Sequence, residues 1–191
     1  MAVPALVDQK HGRYYQAVKG GRCFYGSNAK TGLAIPIYSA KANALTLWNP
    51  SGSNYDLVVL GLWIGWYSTT TAAGSIAYYY HSPAGSGIAT AGVFPTATFA
   101  AAVNAMPGSG YASRALFSPA VNTTTAEGAF LKDTGFQGGI MAVATALTGW
   151  TYFDPVDGGI IVPPDCAIQI MGALAWAGVM NQTIMWEEVP V

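Results

Sequence analysis

The stretch from Leu47 to Trp66 reads LWNPSGSNYDLVVLGLWIGW, a turn of Asn, Pro, Ser and Gly followed by a strand with almost no polar face. Asn49, standing before Pro50, is held toward extended geometry while its side chain can reach nearby backbone, and Gly52 lets the chain reverse. Beyond the turn, side chains alternate faces. Leu57, Val59, Trp63 and Tyr67 point one way, and Val58, Leu60, Leu62, Ile64 and Trp66 the other. Both sets are apolar, whereas a sandwich strand ordinarily turns one face to the core and the other to water. Leaving Val58, Leu60, Leu62 and Ile64 wet would forgo roughly 1.5–3 kcal/mol per side chain. Three covers are open: the Gly-rich central loops, the N-terminal arm of the same chain, or a neighbouring subunit.

Composition favours the neighbour. Hydrophobic residues make up 52% of the 191 and charged residues 9%, against roughly 25% charged in an average soluble domain. A surface so poorly supplied with charge is expected to be buried in an assembly. Val58, Leu60, Leu62, Ile64 and Trp66 are therefore the expected subunit interface. The length suits one main domain. No apolar run resembles a membrane-spanning helix of about 20 residues, and the N-terminus, with Pro4 and Asp8, reads as carrying no export signal. Cys23 and Cys166 lie far apart with no Cys-x-x-Cys partner, so buried free thiols are expected.

Charge is distributed unevenly. Lys10, Arg13, Lys19, Arg22, Lys30 and Lys41 face only Asp8 within the first 41 positions, leaving +5 there and −6 in the remainder. The charges are spaced singly, which argues against a phosphate-tracking patch and hence against nucleic acid. Interleaved with Tyr14, Tyr15, Phe24 and Tyr25, they read as an arm that docks on protein. Lys10, Arg13, Tyr14, Tyr15, Lys19, Arg22, Phe24 and Tyr25 are the expected partner-binding residues.

Elsewhere, segments rich in Val, Ile, Tyr, Trp and Thr are separated by Gly, Pro, Ser and Asn clusters, the pattern of an all-β sandwich or barrel. Strands are predicted at Ala44 to Trp48, Leu57 to Tyr67, Ser75 to Tyr80, Arg114 to Ser118 and Gly128 to Leu131. Five more are predicted at Gly139 to Ala144, Gly149 to Phe153, Gly159 to Val162, Ala167 to Gly172 and Thr183 to Val189. The alanines of ATFAAAVNAM, Ala97 to Met106, predict a short helix stopped by Pro107. Pro164 and Asp165 fall in the centre of a β-turn between Val162 and Cys166. The domain reading is an arm over residues 1–41 and a β-sandwich over 42–191.

Catalytic patterns are missing from the sequence. The histidines are His11, in the arm, and His81, beside SPAGSG, and neither accompanies a nucleophile elbow, a metalloprotease motif or a Walker A loop. Glu187 and Glu188 are adjacent on a predicted strand and so face opposite sides, which keeps them from flanking one glycosidic bond. Asp154 and Asp157 bracket Pro155, too few oxygens for a calcium site. No enzyme activity, cofactor or metal is expected.

The segment LWNPSGSNYDLVVLGLWIGWYSTTTAAGSIAYYY, Leu47 to Tyr80, resembles a recurrent segment of tailed-bacteriophage virion proteins: a strand, an Asn-Pro turn, an apolar strand, then Gly-Ser-Ile. GGIIVPPDCAIQIMGALAWAGVMNQTIMWEEVPV, Gly158 to Val191, is similar to the end of the same kind of protein, with Asp165 where the pattern has Gly. The resemblance implies a jelly-roll-like β-sandwich on the capsid exterior, assembled in the host cytoplasm. It further implies a homotrimeric decoration or cement protein that binds the major capsid protein and stabilises the shell. The alternative is a receptor- or glycan-binding head of a fibre or tail, using Trp150, Tyr152 and Asp154.

Overall fold

A computed structural model describes residues 11–28, 32–37, 44–66, 74–82, 100–121, 129–138, 151–173 and 179–191, without the side chains of Trp66 and of residues 119–121 and 136–138. The chain is an all-β sandwich of two antiparallel sheets. A short helix α1 (Tyr15–Lys19) leads into β1 (Cys23–Ser27), β2 (Leu33–Ala34), β3 (Ala44–Asn49), β4 (Tyr55–Trp66) and β5 (Gly74–His81). Then follow β6 (Val103–Asn104), β7 (Leu116–Val121), β8 (Ala129–Gly138), β9 (Thr151–Asp154), β10 (Ile160–Val162), β11 (Cys166–Gly172) and β12 (Val179–Pro190).

Sheet A runs β10-β4-β12-β1-β6, with β2 also on β12 and β9 also on β4; sheet B runs β7-β3-β11-β5-β8. The pairs are nested: β1 with β12, β3 with β11, β4 with β9 and β10, and β5 with β8. A long antiparallel hairpin rolled onto itself gives this order, and it is the jelly-roll arrangement. Between the sheets lies one core, in which Trp186 of β12 stacks on Phe24 of β1 at 6.1 Å and on Phe117 of β7 at 6.2 Å.

Strict alternation along β4 fails at one residue, and the consequences spread. Met185 pairs with Gly61 and Trp186 with Val59, so Leu60 is the extra residue of a β-bulge. Leu57, Val59, Leu62 and Ile64 all reach the inter-sheet core, while Val58, Leu60 and Trp63 share the outer face. The parity expected from sequence is thus corrected: Leu62 and Ile64 do not stand on the same side as Val58 and Leu60. The bulge also organises the turn between β9 and β10. Asp157 and Gly158 donate their backbone N–H groups to the carbonyls of Leu60 and Val59, each at 2.9 Å.

That turn holds the cover of the outer face. The Asp157 carboxylate accepts a hydrogen bond from the Tyr14 hydroxyl and pairs with Arg13, fixing the start of α1 above the strand. Ala17 is buried against Leu60, Cys23 and Met185, with Tyr14, Val18 and Tyr25 packed around them. Phe153 of β9 stacks on Trp63 at 4.6 Å. The second apolar face of β4 is therefore covered by its own chain, in place of the neighbouring subunit favoured from composition. The outer face of sheet B is buried too. Ala44, Ala77, Tyr79 and Met171 cluster there, and His81 Nε2, 2.7 Å from Gln169 Oε1, continues through Gln169 Nε2 to Thr46 Oγ1 at 2.9 Å.

Two further expectations are corrected. Cys23–Ser27, assigned to an extended arm, is an integral strand between β12 and β6, because Phe24 supplies a wall of the core. In the described part of the predicted helix, Ala100 bridges to Phe117 and Val103–Asn104 forms β6. Sheet pairing there outweighs the helix propensity of alanine. The strand expected at Gly139 to Ala144 lies outside the described residues.

Polar clamps tie the layers. Asn49, buried, donates from Nδ2 to the Tyr55 carbonyl at 2.7 Å and the Val162 carbonyl at 2.8 Å. It joins the end of β3 to the start of β4 and the end of β10, a longer reach than the local turn expected of it. The Pro163 carbonyl accepts from Cys166 N–H at 3.2 Å across Pro164 and Asp165. Asp165 has φ +67°, which identifies the second central residue of a type II turn.

Candidate functional site

The expected partner-binding residues do not form one surface. Arg13 and Tyr14 serve the Asp157 contact; the hydrogen bond from Arg13, with that from Tyr14, holds the Asp157 carboxyl below its usual range. Tyr15 stacks on His11 at 4.5 Å, and Lys19 Nζ lies 3.4 Å from the Tyr15 hydroxyl. Phe24 is core, and Tyr25 leans on Trp63 at 6.0 Å. Lys10 and the Trp66 side chain lie outside the described residues. Leu62 and Ile64 are core residues, Leu60 is beneath α1, and Val58 is half-buried.

Arg22 and Phe24 are the members of the set that line a cleft. The α1–β1 turn, the start of β4, the segment before β7 and the end of β12 enclose about 270 Å³ between Arg22, Tyr55, Tyr111, Arg114 and Glu188. Its construction is specific. Glu188, 4% exposed, accepts on Oε1 from Ser113 Oγ at 2.6 Å, Arg114 N–H at 2.8 Å and Ala115 N–H at 3.3 Å. One buried carboxylate therefore sets the backbone from which Arg114 projects, and the Arg114 guanidinium lies 4.5 Å over the Tyr55 ring. Gly21, at φ +71°, leaves room for Tyr111, whose ring atom Cδ2 would be 2.1 Å from any Cβ there. Arg22 is held by Glu187 Oε1 at 3.0 Å from Nε. Glu187 and Glu188 do face opposite ways, as neighbours on a strand must.

A second concavity, about 280 Å³, lies where the free edge of β10 approaches sheet B. Tyr80, Leu131 and Ile161 line it and are exposed, while Phe130, also exposed in β8, packs edge-on against Tyr79 at 5.8 Å on the outer face of sheet B. Its floor includes His81, whose pKa burial pushes below the usual histidine value.

The glycan-binding cluster of the alternative reading is engaged structurally. Asp154 is buried and receives Lys132 Nζ at 3.0 Å on both oxygens, and Tyr152 donates to the Thr134 carbonyl. These contacts join β9 to β8 and close one side of the sandwich. Trp150 lies outside the described residues. Among the described residues no helix is long and apolar enough to cross a membrane, and no group of three potential metal ligands occurs.

Sequence reasoning missed Tyr55, Tyr111, Arg114 and Glu188 because they converge from three separate segments. One signal was available: after Lys41 the chain has only two basic residues, Arg114 and Lys132. In comparisons with known proteins, no family model, curated protein or solved structure matches the chain.

Proposed function

We propose that the chain is a structural virion protein of the capsid-decoration type, a homotrimer that binds the major capsid protein on the particle exterior and stabilises the assembled shell. The observation that carries this reading is the apolar lip formed by Tyr80, Leu131 and Ile161 at the sandwich edge. Leu60 of β4 and the Ala44, Ala77, Tyr79 and Met171 cluster of sheet B are covered within the chain, whereas Tyr80, Leu131 and Ile161 stand exposed around one concavity. Contiguous apolar surface of this kind marks an interaction site. The sequence resemblance at Leu47 to Tyr80 and Gly158 to Val191 supplies the class of partner. Binding the assembled lattice in preference to free subunits stabilises the lattice by linkage.

The test is co-sedimentation of purified protein with empty shells and, separately, with unassembled capsid subunits. Saturable binding to shells, a higher rupture temperature, and loss of both in Ile161→Asp and Leu131→Asp support the reading. Both substitutions fall on exposed side chains, so the fold is expected to survive. Shells that rupture identically with and without the protein would refute it, and adsorption to host cells alone would favour a receptor-binding head.

A further inference from the structure

We infer that the cleft between Tyr111 and Arg114 is a binding site for an acidic sugar, a pyranose bearing a carboxylate. Binding at the cleft is independent of shell attachment through the apolar lip.

Three features point to such a ligand. The Arg114 guanidinium is laid over Tyr55 at 4.5 Å, and among the described residues it has no carboxylate partner. A guanidinium stacked on a ring keeps its N–H edge available, and that edge matches a carboxylate in bidentate fashion. Tyr111, 62% exposed, forms a wall of the same cleft, offering a ring face to the C–H face of a sugar. The site is also preorganised. Glu188, itself nearly inaccessible, uses one oxygen to fix the Ser113–Ala115 backbone, and Asn104 Nδ2 donates to the Gly21 carbonyl at 2.7 Å under the Tyr111 ring. Arg22 and Glu187 neutralise each other at the rim, leaving Arg114 as the cation available to a ligand. Glu188 also lines the cleft, but it is buried with Oε1 occupied by three donors, and a site of this size with an aromatic wall and an unpaired guanidinium suits one sugar ring.

The experiment is a two-dimensional NMR titration of the full chain with sodium glucuronate, with glucose and a Gly-Glu-Gly peptide as parallel arms. Glucuronate is expected to shift cleft resonances saturably and to weaken as salt rises, with glucose binding at least about tenfold more weakly for want of the charge-assisted bonds. Arg114→Lys keeps the charge but not the fork and is expected to lose about tenfold in affinity. Tyr111→Ala is expected to lose roughly three- to tenfold. Both positions are exposed, so an unchanged melting temperature is the expected control. The inference is overturned if glucuronate shifts no cleft resonance, if glucose binds equally well, if the peptide binds more tightly than glucuronate, or if Arg114→Lys leaves the affinity unchanged. Shell binding by Arg114→Lys reports on the proposed function alone, and it is expected to match that of the unmodified chain.

Discussion

Gly26 and Phe117 press the two sheets together, and substituting the glycine measures how closely. A Cβ on Gly26 would lie 2.5 Å from Cδ2 and Cε2 of Phe117 and 2.8 Å from its Cγ. Ordinary carbon contacts are about 3.5–4.0 Å, so strand β1 or the ring must move by about 1 Å. The ring has little freedom: Phe117 is 1% exposed and stacked on Trp186, which is itself stacked on Phe24. Overpacking of this kind costs roughly 1–3 kcal/mol, offset by about 0.5–1 kcal/mol for the backbone preference of Ala over Gly in a strand. Gly26→Ala is expected to be destabilised by about 1–2 kcal/mol, a fall in Tm of roughly 2–8 °C for a chain this long. Gly61 provides the contrast. Its Cβ would also fall 2.5 Å from a ring, that of Phe153, but Phe153 is 42% exposed and can swing toward solvent, so Gly61→Ala is expected to be near neutral. Urea and thermal unfolding of Gly26→Ala, Phe117→Leu, the double variant and Gly61→Ala form the assay. The cost of Gly26→Ala should largely vanish in the Phe117→Leu background, a coupling of about 1 kcal/mol or more. An undiminished cost in that background, or a Gly26→Ala variant as stable as the parent, would refute the reasoning.

Asn49→Ala removes the donor from two carbonyls at the junction of β3, β4 and β10; at roughly 1–3 kcal/mol for each group left unsatisfied, denaturant titration should show a loss of about 2–5 kcal/mol. Asp157→Asn should lower Tm near neutral pH by weakening the α1 contact. The folded carboxyl titrates below its ordinary value of 3.8, so its contribution is present above that pH and lost as pH falls through the depressed folded value; Tm curves of parent and variant should converge in acid. Burial, with a smaller push from Glu187, raises the Cys23 thiol to about 12. A thiol reagent at pH 8 should leave Cys23 unmodified in the native chain and label it after denaturation, and fast native labelling would contradict its placement under α1.

Short-range pattern determined the class of structure. Apolar residues with period two, interrupted by Asn-Pro and Pro-Pro-Asp turns, are sufficient to predict β3, β4, β5, β11 and β12, because a pleated chain must turn successive side chains to opposite faces. Which face meets which neighbour was settled only in three dimensions. The bulge at Leu60 arises from pairing with a strand more than a hundred residues later, and it reverses the parity of every side chain beyond it. That one residue sends Leu62 and Ile64 inward, presents the Leu60 and Val59 carbonyls to the Asp157 turn, and so brings α1 over the outer face. The cleft has the same origin. Arg22, Tyr55, Tyr111, Arg114 and Glu188 share no local pattern, and the nested pairing of first strand with last brings them together. Local sequence dictates backbone geometry through sterics and propensity, whereas the cover on an apolar face and the members of a site depend on contacts between segments distant in the chain.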